Sequence, residues 1–234
     1  MHLGVFEIIL QEIQMNKLIF FVSVLGMIVN AAALSLQTVF ENQKKSAFPD
    51  TCETQMRTTV TLPNTLPQVV NMTLLTAGES KSVTTIKSSM MQMEMVQNNG
   101  RMKVTDLKTG KKLPAQNMPA QNPADVNKQM GAPEDYNNPV AEGNLWKITP
   151  KDPSKPTLYY SQKKKRVVKM NVVVNGANAV SEFEYCDNSC PLPGTLKKVT
   201  IKTSVPQGGE STVVLEVLNA KQRHILPIKM FNVD

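Results

Sequence analysis

Apolar and polar residues alternate with a period of two along most of this chain from Cys52 onward. Successive side chains of a β-strand point to opposite faces, so this alternation predicts strands with one buried and one solvated face. Turn-forming residues such as Asn98, Asn99 and Gly100 separate the alternating runs, as in β-hairpins. The predicted strands are Cys52–Leu62, Val69–Leu75, Lys81–Ile86, Met90–Val96, Arg101–Leu107, Leu145–Thr149, Thr157–Ser161, Val167–Val174, Val180–Tyr185, Thr195–Ser204, Ser211–Val217 and Ile228–Val233.

The pattern predicts an α+β fold that is mostly β: a strongly curved antiparallel sheet that forms a barrel or half-barrel, with a helix at the front. The helix is expected after Leu34, because Leu36, Val39 and Phe40 recur at helical spacing. A second segment, Leu218–His224, is expected to be a short helix or loop.

One long insertion rich in proline and asparagine, Lys111–Pro139 (111-139), interrupts the strands. Its weak apolar periodicity predicts a long loop, since such a segment buries little apolar surface. A short helix around Ala124–Met130 fits within it, and the sequence leaves open whether the insertion is a lid or disordered.

The stretch Met15–Ala33 has the three regions of a secretory signal peptide: an early lysine, an apolar run and small residues at a cleavage site. The apolar run is shorter than the roughly 20 residues that a bilayer crossing needs, although an uncleaved, anchoring helix remains the alternative. Met1–Gln14 is interpreted as an N-terminal extension ahead of the true start at Met15. We therefore predict an N-terminal extension and cleaved signal peptide over 1-33, and a single exported domain over 34-234.

The predicted exported domain is basic. Of 26 basic and 19 acidic residues, removal of Lys17, Glu7 and Glu12 leaves 25 against 17, a net charge of +8. Such a charge serves solubility or attracts anionic lipid. A nucleic-acid partner is not expected, because aromatic residues that could stack on bases are few.

Three cysteines are expected to meet an oxidising environment. Cys186 and Cys190 lie four apart in a turn-rich segment, which favours a local disulfide over either pairing with Cys52. No metal site is predicted, because zinc usually takes four cysteine or histidine ligands and His224 is the one histidine after residue 33.

No catalytic constellation is present in the sequence, so we predict no enzymatic activity and no cofactor. The motifs of serine hydrolases, zinc proteases and phosphate-binding loops are absent. Glu182 and Glu184 share one face of a strand, an arrangement more typical of a solvated face than of a glycosidase.

The segment around Met91, Met93 and Met95 is the most unusual local feature, with three methionines on one predicted strand face. Three interpretations stay open. The face packs into an ordinary core, or lines a cavity for varied apolar guests, or binds Cu(I) through its thioethers. The copper interpretation needs a further ligand from a neighbouring strand, because residues on one face lie nearly 7 Å apart.

A second apolar group comes from strands between Gly143 and Val174. The residues expected to share its faces are Trp146, Ile148, Leu158, Tyr160, Met170 and Val172. A basic turn made of Lys163, Lys164, Lys165 and Arg166 interrupts these strands; it is a solvated hairpin tip or, beside an apolar cavity, a site for anionic head groups.

These elements resemble the bacterial outer-membrane lipoprotein-sorting family with the LolA/LolB-like fold. The likeness covers Leu34–Leu62 and Gly143–Asp234, whereas the long insertion and the cysteine turn fall outside it. The matching residues are Trp146 with Pro150, Tyr159 with Tyr160, then Lys165, Val167 and Lys169, and finally Ile225, Leu226 and Pro227 leading to Phe231.

The resemblance implies a curved antiparallel sheet forming an incomplete barrel with a helical lid. It also implies a periplasmic carrier that shields the acyl chains of a lipoprotein or lipid in the apolar cavity of that barrel, for transfer towards the outer membrane. It implies a monomer whose partners are acyl chains and the sorting proteins of the inner and outer membranes. The alternatives are a non-catalytic interaction or structural module of the envelope, and a methionine-based Cu(I)-binding protein.

Overall fold

The computed structural model describes residues 34–78, 80–113, 130–174, 176–205 and 209–233. The predicted signal peptide, the N-terminal extension and the predicted helix around Ala124–Met130, apart from Met130, lie outside these residues. Ser35–Asp234 forms one compact unit. Among the described residues, no helix has the length and apolar character needed to cross a membrane.

The helix predicted after Leu34 is confirmed as α1, Leu36–Lys44. Ser35 caps its N-terminus, because the Ser35 Oγ accepts the Thr38 N–H at 3.1 Å. Lys44 lies in the last turn, where a cation suits the helix dipole. The buried side of α1 consists of Val39, Phe40 and Gln43.

The described part of the chain forms one sheet of thirteen antiparallel strands, in the order β6-β5-β4-β3-β2-β1-β13-β12-β11-β10-β9-β8-β7. The predicted incomplete barrel is confirmed, since the edge strands β6 and β7 are not paired with each other. The strands are β1 Thr51–Thr61, β2 Gln68–Ala77, β3 Lys81–Lys87, β4 Gln92–Asn98, β5 Arg101–Asp106, β6 Lys112–Leu113, β7 Val140–Glu142, β8 Leu145–Ile148, β9 Thr157–Ser161, β10 Arg166–Val174, β11 Ala177–Tyr185, β12 Leu196–Val205 and β13 Gly209–Gln222.

The two faces of the sheet differ in chemistry. We define the inner face as the one that carries Met56 of β1 and Tyr160 of β9, both buried, and on which α1 packs. The outer face carries mostly threonine and charged residues, such as Arg57, Lys202 and Glu182. This division is what the alternation predicts for a sheet with one solvated side.

Polar side chains join α1 to the inner face. The Gln43 Oε1 accepts the Val167 N–H at 2.9 Å, and the Asn42 Nδ2 donates to the Tyr160 hydroxyl at 2.9 Å. The Phe40 ring lies 5.8 Å from the ring of Tyr136, which follows a 3-10 turn at Pro133–Asp135. The predicted helical lid is therefore present over β9 to β11.

Two predictions for the C-terminal region are wrong. Leu218–His224 is not a helix or loop, because β13 continues to Gln222. β13 has a bulge at Leu218: Gln55 of β1 pairs with Asn219 and Met56 pairs with Val217, so Leu218 has no partner on β1. That extra residue interrupts the alternation with a period of two, so the sequence pattern does not predict the strand beyond Val217.

Ile228–Val233 is not a strand. Ile228–Phe231 forms a 3-10 turn after Pro227, and the buried Phe231 packs on the outer face against Val83 and Val96. Proline cannot donate a ladder hydrogen bond, which disfavours a strand here. The short edge strands β6 and β7 were not predicted.

Candidate functional site

A row of apolar side chains crosses the inner face in register from β4 to β13. The directly paired residues are Met93, Ile86, Met72, Met56 and Val217. We call these five residues the methionine row. Met56 is buried at 1% exposure, whereas the other four are half-buried. The row is therefore an apolar surface that the described part of the fold leaves partly uncovered.

A second row crosses the other half of the sheet and is apolar except at Ser181 of β11, which pairs with both Ile201 and Met170. Val60 of β1 pairs with Val213 of β13, which pairs with Ile201 of β12. Beyond β11, Met170 pairs with Leu158 and Leu158 with Ile148. Because paired residues project to the same side, the inner face is apolar across most of its strands.

The predicted cavity residues divide into two groups. Ile148, Leu158, Tyr160 and Met170 are buried, in the half of the sheet where α1 packs. Their packing corresponds to the core interpretation. Val172 is half-buried on the same face.

Trp146 is also half-buried on the inner face, beside Tyr160 on the neighbouring strand. Its Nε1 donates to the Gln162 Oε1 at 3.3 Å. The indole thus presents an apolar ring with its polar group already bonded, a form suited to an apolar wall.

Of the three methionines predicted to share one strand face, Met93 and Met95 do so and Met91 does not. Met93 and Met95 lie on the inner face of β4, half-buried. Met91 precedes the strand in a turn, where its N–H bonds to the Ser88 Oγ at 3.1 Å, and its side chain is 42% exposed. The predicted strand Met90–Val96 therefore starts two residues too early.

The neighbours of Met93 and Met95 bear on the copper interpretation. Met93 pairs with Ile86 and Asp106, and Met95 pairs with Thr84 and Val104. The adjacent strands thus place no thioether opposite either methionine. This register argues against a Cu(I) site built on β4, because a soft-metal site needs further sulfur ligands close by.

Sequence reasoning missed four members of the site, Met56, Met72, Ile86 and Val217. Each lies in a strand that was predicted, but the alternation within one strand carries no information on its register with the next. The excess of methionine in the chain, 14 residues against seven Phe, was the available signal.

The four cations of the predicted basic turn differ in exposure. Lys163, Lys164 and Lys165 are exposed at the tip of the β9–β10 hairpin. Arg166 is half-buried, and its Nη1 donates to the Lys165 carbonyl at 2.7 Å. Its Nη2 lies so close to Gly194 that a Cβ there would be 3.1 Å away. Three lysines, rather than four cations, are therefore presented to solvent.

The three cysteines are free thiols in this structure. Burial, followed by the neighbouring Cys190 thiol, raises the pKa of Cys186 to about 11. Burial also raises the pKa of Cys52. Cys186 and Cys190 interact with each other, whereas Cys52 is buried on β1; the pairing of Cys186 with Cys190 stays a prediction.

Other predicted chemical features lie on solvated surface. Glu182 and Glu184 are exposed on the outer face of β11, and His224 is exposed after β13. Within the ranges that the structure describes, no group of three or more His, Cys, Asp or Glu residues could hold a metal ion.

Comparison with solved structures finds similar folds. A LolA superfamily protein from Nitrosomonas europaea superposes with a TM-score of 0.59 at 17% identity, over 86% of this chain and 98% of that one. A putative outer membrane lipoprotein-sorting protein domain from Vibrio parahaemolyticus gives 0.51 at 9% identity, over 85% and 96%. A DUF1329 family protein from Desulfovibrio piger gives 0.50 at 11% identity, over 84% and 95%. No protein-family model and no curated protein matches the sequence.

Proposed function

Starting from the LolA-like fold that these structures share with this chain, we propose that the protein is a periplasmic carrier of acyl chains. The cargo is the acyl portion of a lipoprotein or lipid, carried towards the outer membrane. The observation that carries this proposal is the methionine row, an apolar part of the inner face that is only partly covered, on a sheet whose other face carries mostly threonine and charged residues outside the Phe231 cluster.

The physical requirement for such a carrier is a sheltered apolar surface. Each methylene group of an acyl chain exposed to water costs about 0.8 kcal/mol, so a carrier must cover most of the chain. The methionine row supplies flexible, polarisable side chains that adapt to guests of different shape. Val213 and Ile201 extend this surface towards the strands that α1 covers, and Trp146 lies on β8, beyond those strands.

The half of the inner face that α1 covers supports the half that carries the methionine row. Leu158, Ile148 and Tyr160 are buried in the α1-covered part and give the sheet a rigid core. Cargo therefore binds without opening this core, on the strands β1 to β4 and β13. Release needs a competing apolar acceptor rather than a chemical step, so the proposal assigns no catalytic residue.

Two predicted features take supporting roles in the proposal. The exposed Lys163, Lys164 and Lys165 attract the anionic head groups of lipids. A Cys186–Cys190 disulfide, formed in the oxidising periplasm, restricts the conformation of the loop before β12. The partners that deliver and receive cargo are sorting proteins of the inner and outer membranes.

A pair of charge-matched variants tests the site. Met72→Asp places a carboxylate in the methionine row, whereas Asn71→Asp places one on the outer face at the neighbouring position of the same strand, where it is exposed. We expect Met72→Asp to abolish binding of a fluorescent fatty acid to Ser35–Asp234, and Asn71→Asp to leave it unchanged. Met93→Asp is expected to behave like Met72→Asp.

Circular dichroism establishes that each variant is folded. If folded Met72→Asp and Met93→Asp both bind the fatty acid as the parent does, the acyl chain does not lie on the methionine row. If the parent takes up no acyl chain, the non-catalytic envelope module is the better account.

A further inference from the structure

The segment that follows β13 presents apolar side chains to solvent although it is firmly attached to the fold. Ile225 is 86% exposed and Ile228 is 82% exposed. Between them, Leu226 turns inward and packs on the cluster formed by Val83 and Val96. The two isoleucines therefore project outward from a segment in which Leu226 is half-buried and Phe231 is buried.

This segment is held in place by its C-terminal end. Phe231 is buried in the same cluster on the outer face, and the Asn98 Nδ2 donates to the Phe231 carbonyl at 3.0 Å. The 3-10 turn Ile228–Phe231 fixes the backbone between them. The isoleucines cannot reach the core without breaking these contacts, so their exposure is imposed by the fold.

Two exposed lysines lie near the two isoleucines along the chain. Lys221 is on the outer face at the end of β13, and Lys229 is in the 3-10 turn. Glu53, the carboxylate paired with Lys221 across β1 and β13, is held in an ion pair by Arg223. The surface around Ile225 and Ile228 is therefore both apolar and positive.

We propose that this segment, His224–Phe231, docks the protein on an anionic lipid bilayer. Isoleucine side chains that project from a short turn insert at the boundary between head groups and acyl chains, while lysines beside them meet the lipid phosphates. This inference goes beyond the carrier function, because it concerns the outer face rather than the acyl-binding inner face.

The chemistry favours a bilayer over a protein partner. A stable protein interface buries about 800 Å² on each side and usually offers a broad surface with a packed centre. Here two protruding isoleucines and two exposed lysines, Lys221 and Lys229, form a small contact. A small apolar insertion combined with electrostatic attraction is the usual basis of reversible binding to a membrane surface.

Vesicle sedimentation of Ser35–Asp234 tests the proposal. Vesicles of phosphatidylethanolamine with phosphatidylglycerol are compared with vesicles of phosphatidylcholine alone. We expect binding to the anionic vesicles that weakens as salt is added, because the lysines act through screened charges. The double variant Ile225→Ser/Ile228→Ser is expected to lower the partition coefficient by roughly tenfold or more, given the apolar area that two isoleucines bury.

Leu66→Ser is the matched control. Leu66 is 87% exposed in the loop between β1 and β2, at the other end of these strands from the point where β13 leaves the sheet. Eleven residues of β1 separate the two ends, a distance of roughly 35 Å. We expect Leu66→Ser to bind vesicles as the parent does.

Three results would overturn the proposal: a parent that ignores anionic vesicles, a double isoleucine variant that binds as the parent does, or a loss of binding in Leu66→Ser instead. A parallel fatty-acid titration separates this inference from the carrier function. The double isoleucine variant is expected to retain fatty-acid binding, and vesicle binding stands even if the parent binds no fatty acid.

Discussion

The Gln43 side chain of α1 bonds to the backbone of Val167 in β10, with 2.9 Å between the Oε1 and the amide nitrogen. The paired residues of β10 and β11 begin at Lys169 and Glu182, so Val167 lies beyond that ladder. The Tyr185 hydroxyl donates to the Val167 carbonyl at 2.7 Å and accepts from the Gln43 Nε2 at 3.1 Å. Two side chains thus replace the missing strand partner and fasten the helix to the sheet.

Replacing Gln43 by leucine should destabilise the fold. The change leaves the buried Val167 N–H without its acceptor, at a cost of about 1–3 kcal/mol. Urea denaturation followed by circular dichroism measures the free energy of unfolding. Gln37→Leu on the exposed side of α1 is the control, and it should change that energy by no more than about 0.5 kcal/mol. Equal effects of the two variants would mean that the bond to Val167 does not secure the helix.

The ionisation of Tyr185 is expected to make the free energy of unfolding depend on pH. Burial raises the pKa of Tyr185 to about 12, above its usual value near 10. The folded state therefore favours the neutral phenol. This contribution is complete below about pH 10, the pKa in the unfolded chain, and is lost as the pH rises towards the folded value.

We expect the free energy of unfolding to fall between about pH 10 and 12, and to fall less in Tyr185→Phe, which has no ionisable group. Denaturant titrations at several pH values measure this slope. Identical slopes for the parent and Tyr185→Phe would show that ionisation of Tyr185 is not linked to folding.

Thiol chemistry tests the cysteine assignment. Under oxidising conditions we expect Cys186 to pair with Cys190, since the two thiols are neighbours in the loop before β12. Cys52 should stay unmodified by iodoacetamide in the folded protein, because it is buried and its pKa is raised. Peptide mapping by mass spectrometry reads both results. A peptide that joins Cys52 to either partner would refute this pairing.

Much of the fold follows from the sequence because alternation is a local property. Within Val167–Val174 or Cys52–Leu62 it identifies the strand and the residues that share a face. The helix at Leu36–Lys44 was found in the same way, from its own spacing.

The register between strands does not follow from local pattern. The pairing of Met72 with Met56 builds the centre of the candidate site, yet nothing in either segment specifies it. The bulge at Leu218 reverses which residues of β13 face the core from that point on, so the alternation is interrupted and the part of β13 after Val217 was not predicted as strand. Ile228–Phe231 is apolar enough to be predicted as part of a strand, but it forms a 3-10 turn whose Phe231 packs against Val83 and Val96, residues far away in the sequence.

Native mass spectrometry of the protein purified from the cell envelope tests the central claim most directly. If the inner face carries acyl chains, the parent should show an added mass that matches a lipid or acylated species and disappears on delipidation. The Met72→Asp variant should lack this mass. A parent that is free of added mass, and that takes up no fatty acid when it is supplied, would contradict the carrier function.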